Sequence, residues 1–291
     1  MQYLILVAAT LAATGKALFC KLVGNSKGRY AFFVNFKAFL TAFLVSLIFA
    51  AKELSKILNI SAFSLVLSIA FGFFVAFTQL SQMKAMNAGS ASLTMLLYSS
   101  AFVIPIVFAV AAWGESVSAW QILGIALLIV SIALIVIEPH GKRINFLWLV
   151  FAMCATLGSG INAIIQKVHQ MSAYKSELKL FLVLALFFSA LFSLLFYLIY
   201  RPKEAESPKE TKGAKGVLFP ISLGISVGVL NFMNLTLAGV LPAVIQFPVY
   251  NVGSLSLTSA FSIVFFKEKI EARRMLGYAL GIAAILVIGL M

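Results

Sequence analysis

Apolar blocks about as long as a bilayer is thick recur from one end of this 291-residue chain to the other, and no other feature restricts its fold as severely. A membrane-crossing helix needs about 20 mainly apolar residues. Reading the blocks between polar breaks predicts helices near 3–22, 30–51, 62–83, 90–112, 119–137, 146–167, 177–200, 216–237, 243–266 and 272–290. Strands closed into a barrel are the other way to cross lipid without orphaned backbone groups, but these blocks have neither period-two alternation nor strand length. Composition agrees, with 62% hydrophobic and 11% charged residues, where a soluble domain carries about 25% charged. The expected class is an all-α membrane protein of ten transmembrane helices. The one sizeable connection, RPKEAESPKETKGAK at 201–215, reads as an exposed flexible linker from its prolines and mixed charges. The first block lacks a basic leader and more spans follow it, so it is expected to be a span and not a cleaved signal.

The blocks repeat in sequence as well as in length. AATLAATGKALFCKL in helix one matches CATLGSGINAIIQKV in helix six without gaps, pairing Ala9 with Ala155, Thr10 with Thr156, Leu11 with Leu157, Ala17 with Ala163 and Lys21 with Lys167. NFKAFL in helix two matches ELKLFL in helix seven, pairing Lys37 with Lys179. The third pair ends in NAG at 87–89 and LAG at 237–239. WGESVSAWQILGIAL aligns with FKEKIEARRMLGYAL, pairing Glu115 with Glu268 and Gly124 with Gly277. Two five-helix repeats follow, residues 1–143 and 144–291. Five is odd, so the halves are expected to enter the membrane in opposite orientation, a 5+5 inverted repeat around a central cavity.

With the Gly114-Glu115 and Lys267-Glu268 steps and the glycines at Gly124 and Gly277, this pattern resembles the EamA-type branch of the drug/metabolite transporter (DMT) superfamily. The resemblance covers essentially the whole chain. It implies a basket-like bundle whose cavity is lined mainly by helices one, three, four, six, eight and nine, and a secondary transporter working by alternating access. Similar proteins export amino acids, metabolites or drugs, exchange nucleotide sugars, or flip lipid-linked sugars, so the resemblance stops short of a cargo.

The polar residues inside the spans narrow the cargo. Lys16 and Lys37 lie within helices one and two. An intramembrane lysine costs about 2.5–3.5 kcal/mol on insertion scales and is a functional candidate by default, unless its stem snorkels to the headgroups. Lys37 fits snorkelling, because helix two is peripheral in the resembled fold. Lys16 fits a cavity, because its repeat mate, Asn162, is also polar. All nine acidic residues are glutamates, and each falls at a helix end or in a loop. The small multidrug exporters of the same superfamily bind cations through a glutamate in the first helix, where this chain has Thr10, Thr14 and Lys16. A lysine among neutral hydrogen-bonding groups suits a small polar, zwitterionic or anionic metabolite, amino-acid-like or similar. The substrate-binding candidates are Lys16, Gln79, Tyr98, Asn162, Asn231, Gln246, Tyr250 and Asn251. Glu115 and Glu268 are expected to stabilise the N-termini of helices five and ten, and Pro105, Pro242 and Pro248 to permit kinks in helices four and nine.

The formal charge of +13 lies in the connections, where it fixes orientation and does not mark a nucleic-acid surface. Setting Lys16 and Lys37 aside, 15 basic residues follow odd-numbered helices and five follow even-numbered ones. That bias places both termini outside, whereas the resemblance implies both inside. No catalytic set, cofactor motif or metal-ligand spacing appears. The expectation is therefore a multi-pass plasma-membrane protein that is not an enzyme, with no cofactor and no bound metal. Its partners are a small-molecule substrate and the lipid bilayer, with proton or exchange coupling and a homodimer left open. The alternatives are a flippase for a lipid-linked group and a non-transporting membrane scaffold.

Overall fold

The computed structural model describes residues 2–23, 29–88, 94, 97–136, 146–200, 215–266 and 272–290. Among these, all regular structure is helical: α1 (Gln2–Val23), α2 (Arg29–Ala50), α3 (Ala62–Ala88), α4 (Val103–Trp113), α5 (Ala119–Val136), α6 (Phe146–Met171), α7 (Leu178–Ile199), α8 (Lys215–Ala238), α9 (Ala243–Phe266) and α10 (Ala272–Leu290). At 1.5 Å per residue, a helix of 22 residues such as α1 is about 33 Å long, the thickness of a bilayer core. By length and composition, six helices among the described residues can cross a membrane, over Gln2–Cys20, Tyr30–Ala50, Ala62–Met86, Phe146–Met171, Lys175–Ile199 and Gly216–Ala238. Leu97–Trp113, Ala119–Leu134 and Met275–Ala284 are apolar but shorter. The linker at 201–214 and Glu268 lie outside the described residues.

Two helices run further than the sequence suggests. α3 continues to Ala88 and α6 to Met171, and the extra turn of α6 brings Lys167 and His169 inside the bundle, 4% and 0% exposed. The fourth helix changes character before Pro105. Ser100–Phe102 is a tight 3-10 turn and the α-helix proper starts at Val103, because a proline ring clashes with the carbonyl four residues back, here that of Ala101. Gly114 ends α4 in the left-handed region at φ 62. With Gly114 N–H donating to Val110 O (3.1 Å) and Glu115 N–H to Ala109 O (3.4 Å), the chain closes an αL cap that sets the direction of Glu115.

Packing follows a pattern that survives exchange of the first five helices with the last five. α2 lies on α7 and α5 on α10; α1 lies on α8 and α9 as α6 lies on α3 and α4; α3 lies on α7 as α8 lies on α2. The largest apolar cluster is centred on α2, α3, α7 and α8, and a second on α4, α5, α9 and α10. α1 and α6 stand between them. Small residues allow the close crossings. A Cβ on Gly72 of α3 would come within 2.8 Å of Ala185 O on α7, and one on Gly224 of α8 would fall on the Ala38 carbonyl of α2.

Polarity is inverted relative to a soluble protein. Leu4, Ile48, Val66, Ile122 and Ile199 face outward, 59–75% exposed, while Thr14, Thr78, Gln79, Gln166, Asn234 and Gln246 are buried. Apolar residues on this scale at the surface need lipid to cover them.

Contacts between the halves define two ends of the bundle. At the end carrying the junctions after even-numbered helices, here the even end, Glu53 pairs with Lys179 (2.7 Å), Ser61 Oγ donates to Glu177 Oε2 (2.7 Å) and Ser64 Oγ meets His169 Nε2 (3.1 Å). At the odd end, Trp148 Nε1 donates to Thr94 Oγ1 (2.7 Å), Phe32 stacks on Tyr200 at 4.8 Å, and Lys84 Nζ lies over the Phe32 and Phe151 rings.

Candidate functional site

Two small chambers of about 70 Å³ each lie at the centre of the bundle. They share Lys16, Tyr98, Leu230 and Tyr250 as a common wall. The chamber nearer the even end is lined by Val75, Thr78 and Gln79 of α3, Ser159, Asn162, Ala163 and Gln166 of α6, and Val227, Leu230, Asn231 and Asn234 of α8. The one nearer the odd end is lined by Ala13, Lys16, Ala17 and Cys20 of α1 and by Tyr250, Asn251, Ser254, Leu255 and Thr258 of α9, with Gln82, Tyr98, Ser99 and Leu230.

The spacing shows how the sequence builds this. Ala13, Lys16, Ala17 and Cys20 recur at i, i+3, i+4 and i+7, a single stripe of an α-helix. Their repeat mates are Ser159, Asn162, Ala163 and Gln166, so the same stripe of α1 and of α6 lines the two chambers in turn. Val227, Leu230, Asn231 and Asn234 on α8 follow the same rhythm. Helices one, three, six, eight and nine, with the segment leading into α4, supply the lining.

Lys16 is central. Its Nζ donates to Tyr98 Oη at 3.1 Å and lies 5.4 Å from the centre of that ring. Among the described residues no carboxylate pairs with it. A half-buried ammonium held by one phenol keeps unused donor capacity and a preference for an anion. Its repeat mate Asn162 donates from Nδ2 to Thr78 Oγ1 (3.4 Å), leaving Oδ1 without a partner. Gln79 Nε2 and Asn234 Oδ1, on residues 2% and 5% exposed, are unpartnered as well. The even-side chamber thus offers a cation, an amide donor and two amide acceptors that the protein itself leaves unused.

The other sequence candidates differ in place. Tyr98 and Tyr250 stand in the shared wall. Asn231 lines the even-side chamber with its amide engaged, accepting from Gln166 Nε2 (3.2 Å) and donating to Val227 O (2.9 Å). Asn251 lines the odd-side chamber while donating to Phe247 O (2.9 Å). Gln246 lines neither chamber; fully buried, it donates to Asn234 O (2.8 Å) and ties α9 to α8. Lys37 stays outside too, its Nζ 4.4 Å from the Phe33 ring one turn back along α2.

Glu115 departs from expectation most usefully. It was expected to stabilise the start of the fifth helix. Instead its Oε2 accepts from Ala243 N–H (3.0 Å) at the start of α9, while Oε1 pairs with Lys167 Nζ at 2.8 Å. Lys167 also donates to Leu241 O (3.0 Å). In the sequence Lys167 stands at the end of helix six, beside the connection, and its match with Lys21 is the one signal that it belongs to the helix.

Comparison with known proteins adds a fold and a partial family match. A solved crystal structure of another protein shares the fold over 99% of this chain and 96% of its own, with a TM-score of 0.79 at 14% identity. Among curated proteins none matches the chain by sequence. Residues 1–137 match the model of the EamA-like transporter family. With that match over its first 137 residues and its apolar helices, the chain is a multi-pass membrane protein similar to the EamA-like transporter family.

Proposed function

We propose that the protein is a secondary carrier that moves a small polar, zwitterionic or anionic metabolite across the plasma membrane by alternating access. Its ten helices act as ten spans in two five-helix repeats, 1–143 and 144–291, of opposite orientation. The exchange-symmetric packing of the halves and the shared lining stripe of α1 and α6 support that arrangement.

The observation that carries the reading is the unused polar capacity at the centre of an apolar-coated bundle. Lys16 supplies positive charge for a carboxylate or phosphate, and Gln79 Nε2 adds a donor beside it. Asn162 Oδ1 and Asn234 Oδ1 accept from an ammonium or hydroxyl at the other end of the same cargo. Asn231, Tyr250 and Asn251 complete the wall, and Gln246 positions it by holding α9 on α8. Lys16 and Tyr98 stand in the wall that the two chambers share. A metabolite that spans both parts Lys16 from Tyr98, exchanging the phenol for its own anionic group.

A thermal-shift screen of the purified protein against amino acids, organic acids and phosphorylated metabolites tests this. A cargo at 100 times its dissociation constant adds about 2.7 kcal/mol of apparent stability. Stabilisation by anions or zwitterions, lost in Lys16→Met, is expected; stabilisation by lipophilic cations alone contradicts the reading.

A further inference from the structure

Beneath the even-side chamber the two halves are locked by one buried knot. Lys167 of α6 and Glu115, just after α4, form an ion pair at 2.8 Å with side chains 6% and 19% exposed. Each partner also holds backbone: Lys167 donates to Leu241 O, and Glu115 accepts from Ala243 N–H. Four segments therefore meet here: the end of α4, the last turns of α6, the end of the α8–α9 connection and the first turn of α9.

The knot adjoins the cavity on two sides. Gln166, the residue before Lys167, lines the even-side chamber and donates to Asn231. On α9, Gln246 sits one turn after Ala243 and donates to the backbone of Asn234, another lining residue. Movement of either helix by a cargo is thus passed directly to the ion pair. The other polar contacts at this end differ. Glu53–Lys179 is about one-third exposed on both sides, where an ion pair is worth little. Breaking a buried pair leaves an uncompensated charge, so such a pair tends to be wholly made or wholly hydrated.

We propose that Glu115 and Lys167 are the gate of the even side: their pairing shuts the central chambers off from that face of the membrane, and their separation, with hydration of both charges, opens it. The proposal rests on the carrier reading and names the closure that reading requires. The knot is directional. The lysine sits against a carbonyl and the glutamate against a helix N-terminus, whose positive partial charge favours an anion. Exchanging the two charges is therefore not expected to restore the gate.

The test uses the full chain with Cys20→Ser, Cys154→Ser and Ser159→Cys, so that one thiol reports on the even-side chamber. In sealed proteoliposomes a membrane-impermeant maleimide is applied from each side in turn. Removing the pair with Glu115→Gln or Lys167→Met should raise labelling of that reporter thiol from the even face about tenfold or more, with labelling from the odd face unchanged or lower. Because a single variant can fail to fold, a second arm places Glu115→Cys and Lys167→Cys together, bridges them with a short reducible bis-methanethiosulfonate reagent before maleimide is added, and reads maleimide at position 159 alone by peptide mass, with odd-face labelling of position 159 showing that the reagent has not capped it. Bridging should abolish even-face labelling, and reduction should restore it. Even-face labelling at the parent rate in folded Glu115→Gln and Lys167→Met variants, or unaltered by the bridge, overturns the gate while leaving the carrier reading standing. A reporter that no variant exposes to either side overturns both.

Discussion

α1 and α6 match in sequence without gaps, and their differences locate the candidate chemistry. Thr10 and Thr156 are repeat mates, both buried, and each hydroxyl donates to the carbonyl four residues back, Leu6 O at 2.8 Å and Ala152 O at 2.9 Å. Those carbonyls are mates too. One turn and a half further on the copies part. α1 presents Ala13, Lys16, Ala17 and Cys20 to the odd-side chamber, and α6 presents Ser159, Asn162, Ala163 and Gln166 to the even-side one. The shared threonines serve the helix itself, and three of the four stripe positions that face the cavity differ, Ala17 and Ala163 being the pair that matches. Of the two lining stripes only that of α1 carries a charge.

That asymmetry can be broken most forcefully at Lys16. Lys16→Ala removes the cavity cation and should lower transport of an anionic or zwitterionic cargo about 100-fold, since losing one partner of a desolvated charge pair costs upwards of about 2 kcal/mol. Equal loss in Lys16→Ala and Asn162→Ala contradicts a charge confined to one half. Packing differs between the copies as well. A Cβ on Gly158 of α6 would fall on the Thr78 hydroxyl of α3, while its mate on α1 is already Ala12. Gly158→Val should therefore destabilise the protein by about 1–3 kcal/mol, read as a lower Tm in detergent, and Ala12→Val by less. Asn162→Ala should weaken cargo affinity about tenfold, the scale of one hydrogen bond to a charged group. The smallest effects belong to the shared feature. Thr10→Val and Thr156→Val should each shift stability by about 0.6 kcal/mol or less and to a similar degree, and a large difference between them would show that the two-fold frame itself is uneven.

The frame was legible because lipid makes it so. Apolar blocks of bilayer length mark the helices, and the gapless match of helix one with helix six predicted that Lys16 and Asn162 occupy equivalent stripes. What escaped the sequence depends on contacts between distant segments. Gln246 looks like a cavity amide by type and depth, yet only packing turns it onto Asn234 O. Glu115 lies just before helix five in sequence, yet the left-handed cap at Gly114 directs it to α9 and Lys167. Asn35, fully buried and donating to Ser193 Oγ at 3.0 Å across α2 and α7, carried no signal among its apolar neighbours. Moving Lys167 into α6 lowers the even-side basic count and leaves the bias toward the odd-side connections in place.

Counterflow into proteoliposomes of the purified chain, loaded with a stabilising anion or zwitterion from the screen, bears most directly on the claim that a polar hollow between two repeats carries a solute across. Labelled cargo should accumulate against its gradient in liposomes holding the parent protein and fail to do so with Lys16→Met. Accumulation that persists undiminished in Lys16→Met, or none with the parent protein for any cargo that stabilises it, would contradict the account.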